Sequence, residues 1–113
     1  MKVVHRIENQ TVILSLYGNF AADGVGVVKH LLDSLLTGDQ IKTVILNLDD
    51  VTILDSDGIG LLVRTHKTLL QRGSGLVLCE VSPKYMDILS ISGISKVLRV
   101  YETEKEALSQ VHP

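Results

Sequence analysis

Two carboxylates flank a hydroxyl at Asp55-Ser56-Asp57, and Gly58 follows. Asp and Ser are the residue types whose side-chain oxygens accept from the unpaired N–H groups at a helix start. Those N–H groups and the helix dipole also favour an anion at the same end. Ile59, Leu62, Val63, Leu69 and Leu70 then recur at helical spacing, with His66 on the same stripe. The serine therefore stands where a loop becomes a helix, and its hydroxyl is placed to carry a phosphoryl group. Such a group would bring about −1.5 to −2 charges at pH 7. Asp55 and Asp57 would repel it, while the helix start would attract it. The bland alternative is an ordinary capped turn, since any helix can begin with Asp or Ser.

Other chemistries fail on spacing. Asp-Ser-Asp-Gly resembles the middle of a calcium loop. With Gly58 as the sixth position, the first and twelfth fall on Ile53 and Arg64, which do not ligate Ca²⁺. Gly58-Ile59-Gly60 and Gly24-Val25-Gly26 begin a dinucleotide pattern that Val63 and Lys29 fail to complete, and a Walker phosphate loop is absent. Gly60 is better explained by close approach of its helix to the sheet or to a partner. His5, His30, His66 and His112 are far apart, and none is paired at metal-ligand spacing. His66 reads as a satisfied, partly buried histidine and Cys79 as a small core residue. Ser56, His66 and Asp55 do not make a catalytic triad, because ten residues along one helix span about 15 Å. A nucleophile elbow would also need a glycine two residues before the serine. No metal, no cofactor and no enzymatic constellation is expected.

The elements that must position this turn follow from periodicity. A chain of 113 residues is long enough for one core, and its apolar residues are mostly Leu, Val and Ile. Val3–Ile7 and Thr11–Tyr17 are expected to form strands about a tight turn at Glu8-Asn9-Gln10, with Val12, Leu14 and Leu16 on one face. Gly18–Asp23 is expected as a loop, and Asp23 as the cap of a helix that runs to Leu36 and ends at Gly38. Lys42–Leu48 predicts a central strand, followed by an acidic turn at Asp49-Asp50 and a short apolar stretch, Val51–Leu54. The helix after Gly58 should end near Arg72. Leu76–Cys79 predicts a short buried strand. Ser82-Pro83 predicts a capped helix that stops at Gly93. Val97–Tyr101 predicts a last strand, and Glu102–Val111 a terminal helix with a capping pattern from Thr103. Strands separated by helices imply parallel crossovers. The expected fold is α/β: a small mixed sheet of about five strands, an N-terminal edge hairpin, and four helices largely on one face.

Composition narrows the function classes. The net charge is −2 and the basic residues are scattered, which argues against direct nucleic-acid binding. No apolar run approaches a membrane span, and the first residues lack the apolar core of a signal peptide. The lone cysteine fits a reducing compartment.

The stretch Ile53-Leu54-Asp55-Ser56-Asp57-Gly58-Ile59-Gly60-Leu61-Leu62 resembles the signature of STAS domains, in particular the bacterial anti-sigma factor antagonists. Those carry Asp-Ser-(Ser/Thr)-Gly-(Leu/Ile)-Gly after a strand and at a helix start. The resemblance extends from about Val3 to Leu108 in the order of apolar runs and turns. It implies one STAS domain over residues 1–113, in a bacterial cytoplasm, without enzymatic activity. It implies that Ser56 is phosphorylated by a serine kinase that is also an anti-sigma factor. The unmodified form would bind that kinase and free a sigma factor; a phosphatase would reset the modified form. The implied partner-binding residues are Asp23, Asp55, Asp57, Gly58, Ile59 and Gly60. ATP and Mg²⁺ would belong to the kinase. The chain departs from the family at Asp57, where Ser or Thr is usual. It departs again at Gly18-Asn19-Phe20-Ala21, where the family commonly has Gly-Glu-Leu-Asp; Asp23 lies two residues further on. An alternative reading is a STAS subunit or scaffold that works without phosphorylation, in a lipid-transport or sensory complex.

Overall fold

Apolar residues run continuously along the central strands, and each face of the sheet buries alternate ones. In a computed structural model that describes residues 1–111, Val12, Leu14, Leu16, Val44, Leu46, Leu76 and Leu78 face one core, and Ile13, Ile45, Val77 and Cys79 face another. That is the period of two expected of a pleated strand covered on both sides. The strands are β1 (Lys2–Glu8), β2 (Thr11–Phe20), β3 (Thr43–Leu54), β4 (Leu76–Cys79) and β5 (Arg99–Tyr101). They lie in the order β1-β2-β3-β4-β5, with β1 antiparallel to β2 and the remaining pairs parallel. Helices α1 (Asp23–Leu35), α2 (Ser56–Leu70) and α3 (Pro83–Ile91) cover the larger core, while α4 (Glu104–Val111) covers the smaller one through Ala107. The expected mixed five-stranded sheet with an edge hairpin and helices largely on one face is the fold observed. His112 lies outside the described residues.

Several boundaries differ from the sequence expectation, each for a local reason. Asp49-Asp50 is not a turn. The strand β3 runs through it, and the pairing slips from Ser15↔Asn47 to Tyr17↔Asp50, then from Gly18↔Val51 to Asn19↔Ile53. Each slip places one extra residue on β3, which is a β-bulge. The Asn47 carboxamide oxygen accepts from the Asp49 N–H at 2.9 Å, so the first bulge is internally supported, and both aspartates stay exposed. The strand β2 likewise continues to Phe20 instead of ending at Tyr17. Asp23 does not cap α1. The cap position is Ala22, which makes no side-chain hydrogen bond, and Asp23 is the first helical residue. The last strand is shortened because Ile94–Lys96 forms a turn of 3-10 helix, whose Ile94 carbonyl accepts from Val97 and Leu98 N–H at 2.9 and 3.1 Å.

The predicted caps of the later helices are present. The Ser82 hydroxyl accepts from Lys84 N–H at 3.2 Å, with Pro83 at the first helical position, and Thr103 Oγ1 accepts from Glu106 N–H at 3.1 Å. Glu80 adds a second acceptor for the start of α4, at 2.8 Å from Glu104 N–H. The Glu104 carboxylate in turn receives Arg6 at 2.9 Å and the Asn47 carboxamide at 3.2 Å. After α2, the Arg72 guanidinium donates to the carbonyls of Leu36, Gly38 and Ile41, and so ties the end of α1 to the entry of β3.

His66 is buried, as its place on the α2 stripe implies, and its Nδ1 accepts from Leu76 N–H at 3.1 Å. Burial, reinforced by the charge of Arg99, lowers its pKa below the ordinary value of 6.5. The unfolded chain therefore binds a proton at this site more readily than the native one. The stabilisation is fully present above pH 6.5 and is lost as pH falls toward the lowered native value. Protonation would also consume the lone pair that accepts from Leu76. Urea unfolding should show stability falling between pH 7 and pH 5, by no more than about 1.4 kcal/mol per pH unit from this one proton. His66→Gln, which keeps an acceptor but does not titrate, should flatten that slope; an unchanged slope would assign it to other groups.

Candidate functional site

The turn at Asp55 is held by its own side chain. Asp55 is extended (φ −116°, ψ −174°), and its Oδ1 accepts from both Asp57 and Gly58 N–H at 3.0 Å. The carboxylate thus takes two of the N–H groups that a helix start leaves unpaired. The helix begins at Ser56, three residues before Ile59, where the apolar periodicity starts. Ser56 is exposed, and its hydroxyl makes no side-chain hydrogen bond among the described residues. Asp57 is exposed and points its charge outward in the first turn, where the helix dipole favours it. An anion on Ser56 would meet the dipole without the two amide donors that Asp55 already occupies.

The glycines divide by role. A side-chain carbon at Gly58 would lie 2.6 Å from the Phe20 carbonyl oxygen and 3.0 Å from Leu54 Cδ1, so backbone meets backbone there. Gly58 is therefore buried packing and not open surface. Gly60 is different: an added carbon would meet only the far end of Arg64, at 3.4 Å. The expected approach of Gly60 to the sheet is absent. Its half-exposed face adjoins half-buried Ile59, which packs at the border of the larger core.

The parallel pairing of β2 with β3 continues to Phe20↔Leu54, so α1 and α2 leave from adjacent strand ends. This brings exposed Asp23 to the same edge of the sheet as Asp55-Ser56-Asp57. The carboxyl ends of parallel strands are the usual place for ligand and partner contacts in α/β folds. The connection between β2 and α1 is tight. Gly24 N–H donates to the Ala21 carbonyl at 2.9 Å, and Ala22 adopts φ +48°, ψ −123°. These are the angles of the first central residue of a type II′ turn, a position that favours glycine. Asn19, which stands where the family commonly has an acid, accepts from Thr52 Oγ1 at 2.7 Å through its carboxamide oxygen.

Asp23, Asp49, Asp50, Asp55 and Asp57 form no ion pair among the described residues, whose salt bridges involve Glu8, Asp33 and Glu104 instead. Beside this acidic edge lies an exposed apolar side chain that sequence reasoning did not single out, Ile53; Val27, whose helical spacing with Val28, Leu31 and Leu32 places it on the expected buried stripe of α1, is exposed instead. Ile53 is signalled only by its neighbours, because the second bulge turns it outward opposite Asn19. The buried Cys79 thiol is pushed up to about 12, first by desolvation, which keeps it protonated and unreactive. Among the described residues no three His, Cys, Asp or Glu side chains gather as metal ligands, and no helix is long and apolar enough to cross a membrane.

Two substitutions separate strain from packing at this edge. Ala22→Gly relieves a positive φ and should raise stability by about 1 kcal/mol. Gly58→Ala drives a methyl group into the Phe20 carbonyl and should lower stability by about 1–3 kcal/mol, as overpacking does. Thermal unfolding of the two variants checks both signs; a tolerated Gly58→Ala would refute the close approach.

The sequence model of the STAS domain matches residues 2–107. An anti-sigma F factor antagonist of Paenibacillus polymyxa is 26% identical over 99 residues, which cover 88% of this chain and 85% of that protein. The anti-sigma factor antagonist SpoIIAA, solved in its unphosphorylated form, superposes with a TM-score of 0.80 at 19% identity over 98% of each chain. The phosphorylated form of the Bacillus cell fate determinant SpoIIAA superposes with a TM-score of 0.78 at 22% identity, over 97% of this chain and 99% of that one. The family match over nearly the whole chain, the shared sheet order and the strand-to-helix turn at Asp55–Gly60 agree: the chain belongs to the STAS domain family.

Proposed function

We propose that the chain is an anti-sigma factor antagonist, a binding regulator without catalysis of its own. In this reading residues 1–113 act as one module in the cytoplasm. The unmodified form binds a serine kinase that is also an anti-sigma factor and so frees a sigma factor. ATP-dependent phosphorylation of Ser56 ends the binding, and a phosphatase restores it. The observation that carries the reading is the exposed Ser56 hydroxyl at the first position of α2, beside Asp23 on an unpaired acidic edge. The names of the relatives support the general role.

The geometry gives each residue a part. Ser56 accepts the phosphoryl group. Asp23, Asp57, Ile59 and Gly60 offer the contact surface, with Ile53 as an added apolar contact. Asp55 and Gly58 set the backbone that presents them. A kinase surface that fits a neutral serine would meet a bulky dianion after modification, next to Asp57 and without the two amides held by Asp55. The helix start itself should survive, because its cap is Asp55 and not Ser56.

Incubation with a cognate kinase of this type should add one phosphoryl mass, mapped to Ser56 and absent from Ser56→Ala. Ser56→Asp should weaken binding to the kinase about tenfold or more, and Ser56→Ala should keep it, as for a residue near the centre of an interface. A phosphate mapped elsewhere, or no modification with binding intact, would refute the switch and leave a phosphorylation-independent STAS scaffold.

Asp57 carries a second expectation. A like charge near an exposed site costs about 1 kcal/mol at 4 Å in water and more where docking excludes solvent. Asp57→Ser should therefore speed phosphorylation and tighten the unmodified complex by a factor of about five. The gain should shrink at high salt. Thermal stability should barely move, because the Asp55 cap is retained. Weaker binding by Asp57→Ser would show instead that Asp57 makes an attractive contact to a basic residue of the kinase.

A further inference from the structure

A second, separate feature lies at the other end of α2. A groove of about 300 Å³ runs between the last turns of α2 and the segment that links α3 to β5. Its walls are apolar: Val63 and Leu70 on one side, Ile94, Val97 and Leu98 on the other. Leu70 and Val97 are more than half exposed, and Ile91, next to lining residue Ser92, is 87% exposed. Single exposed apolar residues are ordinary, but three around one concave site form a patch of the kind that marks a binding surface.

The groove is also chemically specific. His66 lines it and is only 7% exposed. Among the described residues, the ring's one hydrogen bond is at Nδ1, which accepts from Leu76 N–H. Burial and Arg99 keep the ring neutral. A neutral imidazole whose Nδ1 accepts carries its proton on Nε2. That leaves an N–H donor on a buried ring beside an apolar groove, without a protein acceptor among the described residues, and an unsatisfied buried donor is unfavourable. Lys67 stands at the same groove, and none of the lining residues is acidic. An occupant that repays these features has an apolar body and an anionic acceptor.

The geometry points to a binding site for a small apolar carboxylate, of the medium-chain fatty acid class, with its chain between Leu70 and Val97 and its carboxylate at His66 Nε2 and Lys67. A volume of this size sits at the small end of ligand pockets, which suits a single short chain. Ten residues separate His66 from Ser56 along α2, roughly 15 Å, so this site is independent of the proposed phosphorylation switch.

Octanoate is the probe, titrated into the full chain and followed by amide and imidazole NMR shifts. Saturable binding with a Kd below about 1 mM is expected, with shifts centred on Val63, His66, Ile94 and Val97. Octanol, which keeps the chain but lacks the charge, should bind at least about tenfold more weakly. Val97→Asp, at an exposed position, should abolish octanoate binding while the rest of the spectrum stays native. Leu70→Asp on the opposite wall serves the same purpose if Val97→Asp does not fold. Lys67→Glu should weaken binding several-fold. Absence of saturation, equal affinity for octanol and octanoate, or binding unchanged by both wall variants would overturn the assignment.

Discussion

Two helix starts press directly on the end of one strand, and that contact places everything at the acidic edge. A side-chain carbon at Gly58 would lie 2.6 Å from the Phe20 carbonyl, and one at Gly24 would lie 2.0 Å from the Asn19 carbonyl. The first turns of α1 and α2 therefore rest on consecutive carbonyls of β2. No side chain fits between them, so the helices cannot shift outward or rotate without losing backbone contact. Phe20, fully buried, anchors the strand end from below. Glycine in a helix costs about 1 kcal/mol against alanine. Burial of Leu61, Leu62 and Leu69 along α2, at about 1.5–3 kcal/mol each, outweighs the cost of Gly58 and Gly60.

The same residue type does opposite work at neighbouring positions. Asp55 turns its carboxylate inward onto two N–H groups, so its charge is spent on the fold. Asp57 turns outward, and its charge is left for whatever approaches. Asp23, Asp49 and Asp50 also remain without ion pairs among the described residues. An edge that gathers unpaired like charges gains nothing from them in isolation. In the proposed switch, a phosphoryl dianion on Ser56 would add to that like-charge repulsion, most strongly from the adjacent Asp57.

The opposite face of the sheet serves stability. Its small cluster is closed by one helix, α4, tied at its start by Glu80 and Thr103 and at its side by Arg6 and Asn47 through Glu104. The Arg6–Glu104 pair is partly exposed and is worth about 1 kcal/mol or less. What holds α4 is the sum of that pair with satisfied backbone donors and the burial of Ala107. The acidic edge is thereby free of structural duty on that side, since the lower face is closed elsewhere.

The shared face of Val12, Leu14 and Leu16, the helical stripe after Ile59, the Ser82-Pro83 cap and the Thr103 cap were all legible in the sequence, because each depends on residues within one turn or one strand. The Asp-Ser-Asp-Gly turn was legible as a helix start for the same reason. What lay beyond reach depended on a neighbour distant in the chain. The strand β3 passes through Asp49-Asp50 because β2 pairs with it across two bulges, which no local pattern announces. Ala22 accepts a glycine-like conformation because Gly24 must meet the Asn19 carbonyl. Gly58 is glycine because of Phe20, while Gly60 touches only a flexible arginine, though the two look alike in sequence. Short-range hydrogen bonding and periodicity determined the elements; the close packing of strand end against helix start decided which side chains of the turn face outward.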